Sequence, residues 1–303
     1  MKVLICGGNG QLGWDCQRVF GKENEVIAYD LPELDITDKS RVLTIITKFA
    51  PDVVINCSAY TQVDKCESEE HIAKLVNTDG PGYIAEACKS INATMVHIST
   101  DYVFDGTKEP PLSYTEADEV NPLSVYGRTK LEGERRVAEI TDNHIIVRTA
   151  WLYGINGNNF LKTMLKLALL TPEKQIKVVD DQFGSPTWSL RLALQIERLV
   201  QIKGQGIYHA TAEGYCSWYE LALYFLKQIE VPANIVPCTT ADYPLPAKRP
   251  ANSILENARL KRGDNNRMTG WRYGVDHFTA RFGQQLIDEI INMNKKGFNR
   301  DMP

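Results

Sequence analysis

No stretch of this sequence approaches the roughly 18 consecutive apolar residues that a membrane-spanning helix requires. The first apolar run, "VLICGG" directly after Met1-Lys2, is too short for the hydrophobic centre of a secretory leader. Both absences point to the cytoplasm and to no membrane partner. CxxC pairs are missing as well. The seven cysteines (Cys6, Cys16, Cys57, Cys66, Cys88, Cys216 and Cys238) are odd in number. That argues against a disulfide frame and against a zinc site; Cys6 and Cys57 lie in apolar strand-like runs and read as buried, reduced thiols. Excess positive charge is also lacking. The net charge is −4, and Lys and Arg gather only in short pairs such as Arg135-Arg136 and Lys295-Lys296. Such a chain has no electrostatic footprint for nucleic acid. Nothing repeats with a period of roughly 20–50 residues, and no segment is of low complexity. What remains is 303 residues, 43% hydrophobic and 24% charged. This suffices for a real core and, at about 150 residues per domain, for one or two domains.

The first half alternates short apolar runs with amphipathic stretches. "KVLICG" (2–7), "EVIAYD" (25–30), "DVVINC" (52–57), "TMVHIST" (94–100) and "HIIVRTA" (144–150) are β-branched and apolar on both faces. Such runs suit strands covered on both sides. Helices are expected between them at about 11–21, 38–49, 81–91 and 124–140. The alternation predicts an α/β fold: a Rossmann-type, doubly wound parallel sheet over residues 1–150. The second half, 151–303, reads as a smaller α/β substrate domain. It has helices at 158–170 and 216–229, the latter capped by Ser217, and strands at 175–181 and 206–212. Residues 186–212 are able to return to the main sheet.

"CGGNGQLG" places Gly7, Gly10 and Gly13 in GxxGxxG spacing, after the first strand and at the start of a helix. Glycine there lets the backbone turn tightly and approach a pyrophosphate, while the helix N-terminus offers free N–H groups to the anion. Asp30 ends the second strand, 17 residues after Gly13. A carboxylate at that point bonds the adenosine ribose hydroxyls and repels a 2′-phosphate, which favours NADH over NADPH.

Tyr126 stands four residues ahead of Lys130 in "PLSVYGRTKLEGERRV", so both side chains project from one helical face. A phenol with an ordinary pKa of about 10 is a poor acid or base near neutrality. A lysine cation beside it, together with the positive charge of an oxidised nicotinamide, is expected to lower that pKa. "HISTDYVFDG" adds Ser99, Thr100 and Tyr102 just past the fourth strand, at the sheet end where ligands bind.

The ordered set "GGNGQLG", "INCSAYTQVDKCE", "ISTDYVFDG", "NPLSVYGRTKLEGE", "RTAWLYG" and "DDQFGSPT" resembles the extended short-chain dehydrogenase/reductase superfamily over nearly the whole chain. Within it, the set is most similar to the dTDP-4-dehydrorhamnose reductase family. The resemblance implies NADPH or NADH as cofactor and a dTDP-linked 4-keto-6-deoxy sugar as substrate. Tyr126 is then the proton donor, Lys130 holds the ribose and tunes the tyrosine, and Thr100 polarises the carbonyl. Gly10, Gln11 and Leu12 wrap the pyrophosphate, Asp35 and Ile36 lie near adenine, and Ala59, Tyr60 and Thr61 line the cofactor. Trp151 meets the sugar or is plain core, Tyr60 lines the site or only packs, and Arg249 in "KRPANSIL" clamps the diphosphate or lies on the surface. Some relatives bind a metal at a dimer contact through acidic residues. Asp15 fills one such position but Leu190 stands at another, so no metal is expected, and the chain is expected to be a monomer or weak homodimer. Two rival functions belong with these. A 4,6-dehydratase carries Thr-Asp-Glu after strand four, where this chain has Thr100-Asp101-Tyr102; a 4-epimerase shares more of the pattern. A non-catalytic, cofactor-binding regulatory subunit, like that of methionine adenosyltransferase, retains the same motifs without turnover.

Overall fold

The computed structural model describes residues 1–298, with side chains as far as 292; the Lys295-Lys296 side chains and residues 299–303 lie outside the described residues. The chain opens with β1 (Lys2–Cys6), α1 (Gln11–Phe20), β2 (Glu25–Tyr29), α2 (Lys39–Phe49) and β3 (Val53–Asn56). Two short helices, α3 (Val63–Ser68) and α4 (Glu70–Lys74), lead through one π-helical turn (Leu75–Asp79) into α5 (Gly80–Ile91). Then come β4 (Thr94–Thr100), α6 (Val125–Ile140) and β5 (His144–Thr149). The five expected strands and four expected helices of this half all form. The helical stretch 63–79 was not expected, because its π turn shifts the apolar positions out of a single 3.6-residue period.

Period-two patterning decides the layers. Val3, Ile5, Val53, Ile55, Val96, Ile145 and Val147 face one side and pack on Leu12, Cys16 and Val19 of α1. Leu4, Cys6, Val54 and Met95 face the other and pack on Val42 and Ile46 of α2, Ile84 and Cys88 of α5 and Val137 of α6. A sheet buried on both faces by helices is therefore apolar on both sides of its strand centres, with polar residues such as Asn56, Ser99, Thr100 and Arg148 toward the strand ends.

The rest of the chain supplies β6 (Leu152–Tyr153), α7 (Phe160–Leu170), β7 (Ile176–Val179), β8 (Phe183–Gly184), β9 (Thr187–Trp188), α8 (Ser189–Gln201), β10 (Gly206–His209), β11 (Cys216–Ser217), α9 (Trp218–Gln228), β12 (Ile235–Cys238), α10 (Ala258–Arg262) and α11 (Trp271–Phe298). β10 pairs in parallel with β5, and α8 adds Leu192, Ile196 and Leu199 to the core shared with α1. Residues 189–209 thus return to the first layer. The six-stranded parallel sheet has the order β10-β5-β4-β3-β1-β2, and its strand order reverses between β1 and β3. A second core holds Leu161 and Leu165 of α7, Leu221 and Phe225 of α9, and Val275 and Phe278 of α11. Small parallel pairs, β7 with β12 and β6 with β9, edge this lobe. All seven cysteines are free, and five of them are buried.

Ser217 caps α9 as its sequence suggests. Its hydroxyl accepts from Glu220 N at 3.1 Å while the Glu220 carboxylate accepts from Ser217 N at 2.9 Å, forming a capping box. Replacement Ser217→Ala removes half of it and also a hydroxyl bond to Asp180. Urea unfolding should show a loss of about 1–2 kcal/mol; an unchanged midpoint would mean that the cap contributes nothing.

Candidate active site

The site begins where β1 ends. Gly7 has φ +77°, and a Cβ there would sit 2.8 Å from Ser58 N. A Cβ on Gly13 would collide with Gly7 O. Only glycine allows the turn and lets α1 start this close to β1. Gly10 is the N-cap of α1 and offers no side-chain cap, so the first-turn N–H groups remain available to an anion. Asp30 follows β2 and accepts from Asn9 N at 2.8 Å and Leu31 N at 2.9 Å, which fixes it beside the glycine loop. Gly7, Gly10, Asp30, Asp35, Ile36 and Ala59 line one cleft of about 270 Å³ at the switch point of the sheet. This cradle, whose tight turn admits no Cβ at Gly7 or Gly13, fits the adenosine and pyrophosphate of a dinucleotide.

A second cavity of about 520 Å³ adjoins it. Gly10, Gln11, Leu12, Ala59, Thr61, Thr100, Tyr126, Lys130 and Trp151 all face it. β4 delivers Thr100 at its carboxyl end. α6 delivers Tyr126 and Lys130, with Ser124 capping the helix by accepting from Gly127 N at 3.1 Å. Gly127 sits against Tyr102 O, with no room for a Cβ. The helix-weakening glycine beside the catalytic candidates therefore has a steric reason: it lets the first turn of α6 reach the end of β4. Lys130 is buried and donates from Nζ to Ile98 O at 2.6 Å. Burial pulls its ammonium down to about 8, opposed by the Glu134 carboxylate and then Cys57. Burial pushes the Tyr126 phenol up, against a bond to the Thr100 hydroxyl. Here the expected lowering by Lys130 is corrected, because desolvation dominates. The phenol keeps its proton at neutral pH, which is the form a proton donor needs. Asp101, bonded by Thr100 Oγ1 at 2.9 Å, is pushed up to about 6 by burial. The ring of Tyr102 meets that of Tyr126 edge-on at 5.5 Å.

Three expected residues are placed differently from one another. Trp151 adopts φ +48° and stacks face to face on Trp218, centroids 3.5 Å apart, forming a cavity wall. Tyr60 turns its phenol to Glu69 and its ring into the small cluster of Cys66, Ala73 and Val125; it does not reach either cleft. Arg249 is held by Asp64 at 2.7 and 3.1 Å and faces a third, mostly apolar cavity of about 610 Å³ with Leu123, Phe160, Met164 and Tyr243. Trp218 borders both this cavity and the one that holds Tyr126, yet its sequence context marked it only as part of a helix. Asn156 Nδ2 donates to Asn9 O at 2.5 Å and Asn159 Nδ2 to Gln11 Oε1 at 3.0 Å, crossing from the second lobe onto the glycine loop. The polar "NGNN" run was the only sequence signal for this contact.

A glycine cradle at the switch point of a parallel sheet, leading to a Thr-Tyr-Lys set at the end of β4, defines an extended short-chain dehydrogenase/reductase. Residues 1–284 match the family described as "RmlD substrate binding domain", and the chain belongs to that family. It is 41% identical over 293 residues to a dTDP-4-dehydrorhamnose reductase from Aggregatibacter actinomycetemcomitans, covering 92% of this chain and 98% of that protein. A crystal structure of a dTDP-4-dehydrorhamnose reductase from Clostridium acetobutylicum superposes with TM-score 0.90 at 43% identity, covering 93% of this chain and 99% of the other. Another from Bacillus anthracis, in complex with NADP, gives TM-score 0.89 at 37% identity, with 92% and 99% covered.

Replacement Gly13→Ala tests the cradle. Its Cβ meets Gly7 O and the Gly8 backbone, so the loop must open. Dinucleotide affinity, followed by nicotinamide fluorescence, should fall by about 1.4 kcal/mol or more, tenfold in Kd. Parent-like binding would show that the close approach is dispensable.

Proposed function

We propose that the chain reduces the C4 keto group of dTDP-4-dehydro-L-rhamnose to give dTDP-L-rhamnose, using NADH or NADPH. The observation that carries this reading is the gathering of Thr100, Tyr126 and Lys130 in one cavity continuous with the glycine cradle. When bound, the reduced nicotinamide supplies the hydride. Thr100 and Tyr126 donate hydrogen bonds to the keto oxygen, where negative charge grows during reduction. Tyr126 gives up its proton to that oxygen, and the Lys130 ammonium supports the phenolate left behind. Gln11, Leu12, Asp30, Asp35, Ile36, Ala59 and Thr61 serve the dinucleotide. Trp151 walls the sugar site, and the Arg249 guanidinium, a planar fork suited to phosphate oxygens, meets the diphosphate. Residues 1–150, with 189–209, form the dinucleotide-binding part and the remainder holds the nucleotide sugar. Tyr102 stands where a dehydratase carries its glutamate, so no carboxylate at that place removes a C5 proton and the reaction ends at reduction.

Mixing the protein with NADH or NADPH and a freshly made dTDP-4-keto-6-deoxy sugar should consume the reduced cofactor. Deuterium from labelled cofactor should appear at C4 of the product and nowhere else. Tight cofactor binding without turnover of any 4-keto nucleotide sugar would favour a regulatory subunit instead. Tyr126→Phe keeps the ring and removes the acid; turnover should fall by about 10²–10⁴-fold with cofactor binding intact. A near-parent rate would mean that another group donates the proton.

Asp30→Ala should shift preference from NADH toward NADPH, since the carboxylate no longer repels a 2′-phosphate. Competition binding with both cofactors reads this directly. A parent already strongly selective for NADPH would show that Asp30 does not govern the choice.

A further inference from the structure

One buried carboxylate near the site has no part in the reaction as described. Glu134 lies on α6 one turn beyond Lys130, so the two side chains share a face. It is 2% exposed, on the rim of neither cleft. Arg148 of β5 grips it with Nε at 2.9 and 3.2 Å and with the terminal nitrogen at 2.7 Å. The Ser99 hydroxyl of β4 donates to the same carboxylate. Ser99 stands between Ile98, whose carbonyl takes the Lys130 ammonium, and Thr100. Ser99 and Arg148 are also paired across β4 and β5. A single carboxylate therefore ties the helix carrying Tyr126 and Lys130 to the strand carrying Thr100. Breaking such a buried pair would leave an uncompensated charge, which makes its retention next to the site notable in energy terms.

The charges around Lys130 make this more than a mechanical tie. The ammonium is faced by Glu134 on its own helix, by Cys57 after β3, and by His97 of β4. His97 is fully buried, and desolvation followed by the Lys130 charge drives it well below its ordinary value, so it contributes no charge. Arg148 adds a second cation behind Glu134, in contact with the face of Phe104 and near His209. Of these groups Glu134 gives Lys130 the larger push toward its charged form, with Cys57 after it. Burial alone favours a neutral lysine.

We propose that Glu134 is a positioning residue for the reduction: its carboxylate fixes α6 to β4 through Ser99 and to β5 through Arg148, and its charge holds Lys130 in the ammonium form. This rests on the role given to Lys130 under the proposed function, but its first test does not depend on turnover. Lysine-selective NMR of the unliganded protein follows the Lys130 ammonium through its titration. Glu134→Gln keeps the shape, removes the anion and leaves Arg148 unopposed. The Lys130 midpoint should fall by about one pH unit, equivalent to a tenfold change in the ratio of charged to neutral amine. In Glu134→Gln/Arg148→Met both buried charges are gone, a change that such pairs commonly tolerate in folding. Its midpoint should lie between those of the parent and the single variant. The alkaline limb of the turnover profile should move in the same order, while loss near pH 6 stays small. A purely structural tie predicts lower thermal stability with no movement of the Lys130 midpoint, and that result overturns the proposal. So does a double variant whose midpoint is at or above the parent's. Failure of turnover in every form, with the NMR order as expected, would sink the reductase reading and leave the assignment of Glu134 standing.

Discussion

The site depends on how closely α6 lies against the end of β4 and its neighbours. A Cβ at Gly127 would strike Tyr102 O, and one at Gly133 would strike Asn77 O. Each helical glycine costs about 1 kcal/mol relative to alanine. The helix accepts two, because only a bare backbone lets it approach the turn after β4 at Gly127 and the π-helical turn before α5 at Gly133. Everything chemical on α6 follows from that approach: Tyr126 beside Thr100, Lys130 against the Ile98 carbonyl, Glu134 under Ser99 and Arg148. A larger residue at either glycine moves all three together.

The second lobe supplies an aromatic wall to the site and ties itself to the first lobe beside it. Trp151, just past β5, stacks on Trp218, the first residue of α9. A Cβ on Gly184 would run into the Trp151 ring, so the second lobe is shaped around that indole. Arg249 and Asp64 form a crossing between the lobes, from the loop before α10 to α3. Neither contact is an accident of surface packing, since both border cavities.

Much of this was legible in the sequence where local rules act alone. Strands apolar on both faces announced a sheet covered on both sides, and "GGNGQLG" followed by Asp30 announced its ligand edge. Ser217 with Glu220 three residues later carried its own capping chemistry. The less legible parts depend on tertiary contact. The long α11 mixes Gly274 and Gly283 with polar residues, and its apolar stripe makes sense only beside α7 and α9. Trp218 and Glu134 look like ordinary helix residues until another element is placed on them. The sign of the Tyr126 shift was misjudged because spacing reveals a neighbouring charge but not the depth of burial that outweighs it.

The cysteines have a consequence for covalent chemistry. Thiolates, not thiols, attack electrophiles, and burial suppresses the thiolate. Burial pushes Cys66 up to about 11 and Cys88 to about 12 and raises Cys6 and Cys216, while Cys16 is raised by a hydrogen bond with Cys57 and then by burial. Cys57 is different in place: half-buried, it lies in the wall of both the adenosine cleft and the catalytic cavity. An alkylating or oxidising reagent reaches that sulfur by the route a dinucleotide takes. Occupancy of the cleft is thus also protection, and a protein rich in thiols presents its site-facing sulfur to oxidants chiefly between turnovers.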